Sequence, residues 1–127
     1  MTAVLVDTSV WRKFFAGAVA VQGLAALLEG EETDVLVHPF VVGELVLGGL
    51  SPREEALFSR LPGASLVPHG DVLAFARTRG LARRGIGWVD AHLLASALTS
   101  PARLWSTDRA LSAAAVKLSV AFRPESA

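Results

Sequence analysis

A chain of 127 residues has the size of one domain and can bury roughly two-thirds of the surface its unfolded form exposes, so it needs no cross-link to fold. Hydrophobic residues make up 52%, mean hydropathy is +0.47 and cysteine is absent, which excludes disulfides, thiolate metal sites and cysteine nucleophiles. No apolar run approaches the ~18 residues of a membrane span, and Met1 to Asp7 carries no basic segment of a secretory signal, so a soluble, cytoplasmic domain over residues 1–127 is expected.

The net charge of +0 hides an asymmetry: residues 1–63 hold eight acids and four bases, and residues 64–127 hold four acids and eight bases. Ten of the twelve bases are arginine, whose planar fork suits phosphate, so a nucleic-acid partner is permitted without being demanded.

In chain order, Ala3 to Val6 reads as a buried strand that stops at Asp7-Thr8-Ser9, where a helix cap follows. A helix then runs through Phe14 and Phe15 to Gly17, and Val19 to Leu28 reads as a second, amphipathic one. Asp34 to His38 is a second strand, and Pro39 suits a helix start that continues to Gly48-Gly49. Ser51-Pro52-Arg53-Glu54 is an N-cap signature. Ser65 to Val67 reads as a third strand, Asp71 to Arg84 as a helix closed by Gly85, and Trp88 to Leu98 as another helix. Arg103 to Ser106 is a fourth strand, Ala110 to Leu118 the last helix, and Ser119 to Phe122 a short final strand. Strands that alternate with helices and are continuously apolar predict a three-layer α/β/α sandwich around a mostly parallel sheet.

In such a sheet, ligands bind beyond the carboxyl ends of the strands. Asp7 and Asp108 each follow an apolar strand directly, and each lies beside hydroxyls able to orient a carboxylate: Thr8 and Ser9, and Ser106 and Thr107. Either aspartate is equally suited to a helix N-cap, but two in one chain at strand ends favour a shared site. Asp90 falls in the first turn of its helix, where the dipole favours an ionised acid whether or not it has a further task. Glu44 is the only charge between Val35 and Leu50, a position that demands a partner, a proton, a cation or an exposed face. Four converging carboxylates repel one another, and hard divalent cations such as Mg²⁺ or Mn²⁺ relieve that repulsion. An ion so held lowers the pKa of a water and stabilises phosphoryl charge, which points to phosphodiester hydrolysis.

The other candidates are weaker. His38, His69 and His92 have no metal-ligand spacing and read as surface or packing residues. Trp11, Trp88 and Trp105 are able to stack on bases, although Trp105 suits core packing better. Gly85-Ile86-Gly87 lacks the rest of a dinucleotide fingerprint. Arg79, Arg83 and Arg84, with Arg77, form the densest basic patch, which is either a solvated helix face or an RNA-backbone contact.

The sequence resembles the PIN-domain family, specifically the VapC toxins of prokaryotic toxin–antitoxin pairs. The resemblance rests on Val6-Asp7-Thr8-Ser9-Val10-Trp11, His38-Pro39-Phe40-Val41-Val42-Gly43-Glu44-Leu45, the stretch from Gly87 to Ala97 around Asp90, and Leu104-Trp105-Ser106-Thr107-Asp108. It implies Mg²⁺- or Mn²⁺-dependent endoribonuclease activity, homodimerisation and inhibition by a cognate antitoxin. Family roles map onto Asp7, Glu44, Asp90 and Asp108 as the acidic, metal-holding site, with Ser9 and Thr107 in support. The expected chemistry is in-line attack by a metal-activated water, without the ribose 2′-hydroxyl, leaving 5′-phosphate and 3′-hydroxyl ends. The antitoxin's C-terminal segment is expected to use apolar surface around Trp11, Phe14 and Phe15, with an Arg or Lys reaching the acids. Two alternatives differ in class. A carboxylate–metal phosphatase would want a second Asp two residues after Asp7, where Ser9 stands, and a catalytically silent binding module would have lost an acid, whereas all four are present.

Overall fold

A computed structural model describes residues 2–124 of the chain; the first and last three residues of the expected 1–127 domain lie outside them. Three strands, β1 (Thr2–Val6), β2 (Thr33–Leu36) and β3 (Arg103–Trp105), form a sheet of order β2-β1-β3. Both pairings are parallel, with Thr2 to Leu5 facing Thr33 to Leu36 and Val4 to Val6 facing Arg103 to Trp105. Val4, Leu5 and Val6 are consecutive and all buried, so both faces of the central strand are covered, as a parallel sheet requires.

The helices are α1 (Thr8–Phe15), α2 (Gly23–Glu29), α3 (Pro39–Leu47), α4 (Pro52–Glu55), α5 (His69–Thr78), α6 (Trp88–Thr99) and α7 (Arg109–Lys117). Their starts follow local chemistry. The Asp7 and Asp108 side chains accept from the Val10 and Leu111 amides, and Ser51 and Glu54 close a reciprocal capping box before Pro52. His38 caps α3 through Nδ1, which accepts from the Phe40 amide at 3.0 Å, and Pro39 occupies the first turn.

Four expected elements come out differently. The run from Val19 to Leu28 divides into a 3₁₀ turn (Val19–Val21) and α2, because Val21 and Leu24 are both driven fully inside while Val19 is left exposed. Asp71 to Arg84 is not one helix: Gly80 adopts a left-handed φ of +62°, ending α5 before a 3₁₀ turn at Leu81–Arg84. Ser65 to Val67 is not a strand. Parallel pairing there stops at a single bridge between Val37 and Gly63, and the Ser65 amide donates to Ser100 Oγ instead of a neighbouring strand. Ser119 to Phe122 reaches β3 through one bridge, Leu104 to Ala121.

The core is one cluster, with Trp11 at 0% exposure between α1 and the segment carrying Phe58. Its indole stacks on Phe15 at 5.8 Å and meets Phe58 edge-on at 4.8 Å, with Phe14 at 5.8 Å. Trp11 is therefore not apolar surface open to a partner; of the expected trio only Phe14 and Phe15 keep partial exposure. Replacing so large a buried ring leaves a cavity, and Trp11→Ala is expected to lose about 3–5 kcal/mol of stability in a urea titration. A loss below about 1 kcal/mol would show that this cluster is not the packed centre of the fold.

Candidate active site

The strand order places the site. The connection leaving β1 goes to β2 on one side, whereas the chain returns to β3 on the other, so β1 and β3 flank the switch point where α/β sheets bind ligands. Asp7 follows the last residue of β1, and the Asp7 amide donates to Trp105 O at 3.1 Å, tying the two strand ends together. Asp108 lies three residues beyond the end of β3.

Asp7 is buried and held on both oxygens. Oδ1 accepts from Ser9 Oγ at 2.7 Å and the Val10 amide at 3.2 Å, and Oδ2 accepts from Ser106 Oγ at 2.8 Å. A carboxylate offers about four acceptor positions, so roughly one stays open after these three bonds. Burial raises the pKa of Asp7 above its ordinary value; Ser9, Ser106 and Val10 oppose that rise, and Asp108 adds to it. Thr107 contributes its backbone, whose amide donates to Ser9 Oγ at 3.0 Å. Ser106 Oγ accepts from the Asp108 amide at 2.9 Å while donating to Asp7. Asp108 is exposed and uses Oδ1 to cap α7 through the Leu111 amide at 2.8 Å. Capping and site membership thus coexist at both strand ends, because a cap engages only part of a carboxylate.

Glu44 approaches from α3. It is half-buried, and Thr8 Oγ1 donates to its Oε1 at 2.6 Å. Its helix is less enclosed than its apolar composition suggests, since Phe40, Val46 and Leu47 face outward. Asp90, in the first turn of α6, feels all the others. Its carboxyl is pushed up to about 6, first by burial and then by Asp7, Asp108 and Glu44. Asp90 is thus close enough to the other three expected acids to be influenced by each of their charges. Two hydroxyls that hold these acids, Thr8 and Ser106, lie one and two residues from an acid in sequence, which is the local signal that marks them.

Arg79, Arg83 and Arg84 stand elsewhere. Arg79 caps the end of α5 and the other two lie in the following 3₁₀ turn. Arg79 and Arg84, with Lys117, line a cavity of about 240 Å³ against the C-terminal half of α7, whereas Asp108 sits at the opposite end of that helix. His38 and His92 are buried and His69 is exposed. Burial, and then His92, lowers His38 to about 4; burial, and then His69, lowers His92. Both are neutral packing residues at pH 7.

The donor set is all oxygen, which fits Mg²⁺ or Mn²⁺ and not a soft ion. Among the described residues, no three acidic or imidazole side chains close on one point as a ready-made cage. An ion there would be held by one or two carboxylates, with water completing its shell.

Because the pKa of Asp90 is raised from 3.8 to about 6, protonation favours the folded state, and that contribution is lost as pH rises through this window. In EDTA, wild-type Tm should fall between about pH 4 and 6, and Asp90→Asn should melt higher than wild type above that window and show a flatter profile. Identical slopes in thermal melts of the two proteins would show that Asp90 does not carry this charge stress.

A family model described as PIN domain matches residues 4–117. Ribonuclease VapC32 of Mycobacterium tuberculosis, from two strains, is 41% identical over 125 residues, covering 96% of this chain and 98% of the relative. Among solved structures, FitAcB from Neisseria gonorrhoeae superposes with a TM-score of 0.62 at 24% identity, covering 95% of this chain and 97% of the other. PAE2754 from Pyrobaculum aerophilum gives 0.59 at 18% identity, covering 93% and 90%. These structures share the fold. With nearly the whole described chain inside the family match, and a close relative along almost its full length, this protein belongs to the PIN-domain family.

Proposed function

We propose that the protein is a divalent-metal-dependent endoribonuclease, the toxin of a VapC-type toxin–antitoxin pair. The observation that carries this reading is the convergence of Asp7, Asp108 and Glu44 on Asp90 at the switch point of the sheet. The name of the 41%-identical relative, a ribonuclease, supports the substrate class.

The residues divide the work. Asp7, with three hydrogen bonds fixing its plane and one position open, is the anchor for Mg²⁺ or Mn²⁺. Asp90, Glu44 and Asp108 complete the negative field that draws the ion in, and Thr8 orients Glu44 toward it. When bound, the ion supplies a nucleophile at neutral pH and neutralises charge on the phosphoryl group. Ser9 and Ser106 favour the ionised form of Asp7, opposing the effect of its burial. Arg79, Arg83 and Arg84 provide backbone contacts for RNA leading toward or away from the acids. The biological partners are a second copy of the chain and a cognate antitoxin, whose Arg or Lys competes with the ion for the four carboxylates. An arginine fork suits this best, because it makes two parallel charge-assisted bonds. Among the described residues no helix is long and apolar enough to cross a membrane.

Two measurements test the reading. Asp7→Asn and Asp90→Asn should each lower Mn²⁺-dependent RNA cleavage by roughly two orders of magnitude or more while keeping the fold. Full activity in either variant, or in wild type under EDTA, would refute it. Glu44→Gln should shrink the Mn²⁺-induced rise in Tm, since only binding to the native state produces that rise. An unchanged rise would place Glu44 outside the ion's shell.

A further inference from the structure

A row of rings lies beside the acids and has no part in holding them. Phe40 of α3 packs on His92 of α6 at 4.8 Å, His92 packs on Trp88 at 4.6 Å, and Trp88 packs on His69 at 4.9 Å. The middle of this row is buried, but its two large apolar rings are not: Phe40 is 40% and Trp88 39% exposed. Each exposed ring lies within about one turn of a site acid along its own helix. Phe40 precedes Glu44 by one helical turn on the same face of α3, and Trp88 stands two residues before Asp90 in the first turn of α6, on a different side of that helix. Both rings are clamped. His38 bonds the Phe40 amide and packs against its ring at 5.0 Å, and His92 stands edge-on between the two aromatics at 69° and 89°.

We propose that Phe40 and Trp88 are the stacking surface for the bases of single-stranded RNA flanking the phosphodiester held at the carboxylates, an inference that rests on the ribonuclease reading. The chemistry selects bases over phosphates. The two exposed rings, Phe40 and Trp88, carry no charge, and they adjoin helices that bear acids, which repel every phosphate not matched by a cation. A base offers a flat π-face that stacks on an aromatic ring whatever its identity, and a rigid ring loses little freedom in receiving it. Continuity with the acids commits the surface to the substrate: Phe40 shares a face of α3 with Glu44, and Trp88 packs through His92 onto Phe40, so the rings extend from the acid-bearing face of α3.

The test uses the tryptophans themselves. Trp11 and Trp105 are 0% and 3% exposed, so a change in indole emission on adding RNA reports Trp88. Asp7→Asn protein with Mn²⁺ is titrated with single-stranded oligoribonucleotides of each base, by fluorescence and by anisotropy of labelled RNA. Quenching is expected, with binding weakened roughly ten- to a hundredfold by Trp88→Ala or Phe40→Ala and largely kept by Trp88→Phe. In the otherwise wild-type enzyme the alanine variants should raise KM far more than they lower kcat. Phe40→Leu, which keeps apolar volume and removes the ring, carries the test if an alanine variant does not fold. Unchanged affinity in these variants overturns the proposal, and so does a change in molecular mass by light scattering with RNA affinity unaltered, which makes the face an interface between copies. Quenching without RNA cleavage by wild type in Mn²⁺ would remove the nuclease reading and leave the stacking surface standing. Cleavage with unaltered binding in both ring variants would do the reverse.

Discussion

The acidic edge depends on one constraint, that a buried carboxylate, Asp7, is kept where its burial and its neighbour Asp108 both oppose its charge. Three hydrogen bonds make this possible, and they come from two places: the first turn of α1, through the Ser9 hydroxyl and the Val10 amide, and Ser106 on the segment leaving β3. The last of these exists only because β1 and β3 are parallel neighbours, with the Asp7 amide bonded to Trp105 O. Register between two strands therefore determines the electrostatics of a side chain. A slip of one residue would reverse the facing of every side chain on β3 and detach Ser106 from Asp7.

From that anchor the rest of the site follows as a problem of repulsion. Asp90 sits at a helix start, which favours its charge, yet its pKa is pushed up, first by burial away from water and then by the three other acids. Such stress is tolerated at functional sites because a ligand relieves it. In the absence of a cation this repulsion stays uncompensated, which is the physical reason behind the proposal that the acids bind an ion as well as capping helices.

The helix α6 serves two environments at once. From Ala91 to Ala97 it is buried throughout, so it has no solvent face on which to separate roles. Asp90 points to the acid cluster, and His92, two residues on, lies on a different side among rings. Phe40 and Glu44 divide α3 differently, sharing one face at successive turns. The outcome is a charged site with an uncharged aromatic margin, built from the first turns of two helices.

The sequence alone determined the alternation of strands and helices, the helix starts at Asp7, Pro39, Ser51 and Asp108, and the four acids, because each is encoded locally by apolar runs, capping side chains and lone charges. It also led to a resemblance to the PIN-domain family, which the family match bears out. What it left open was decided by tertiary contacts. The 3₁₀ turn at Leu81–Arg84 arises where Gly80 turns left-handed, a freedom that glycine permits but does not compel. Ser65 to Val67 had strand-like composition and no strand to join. Trp11, equally suited on paper to a surface or a core, became the centre of the core, while Trp88 stayed half outside. The basic residues near Asp90 in sequence packed against the far half of α7, since adjacency along a chain that turns at Gly85 does not preserve adjacency in space. Ser106 and Thr8 show the same limit from the other side. A hydroxyl beside an acid is common, and only the meeting of β1 with β3, and of α1 with α3, determines which carboxylate oxygen it holds.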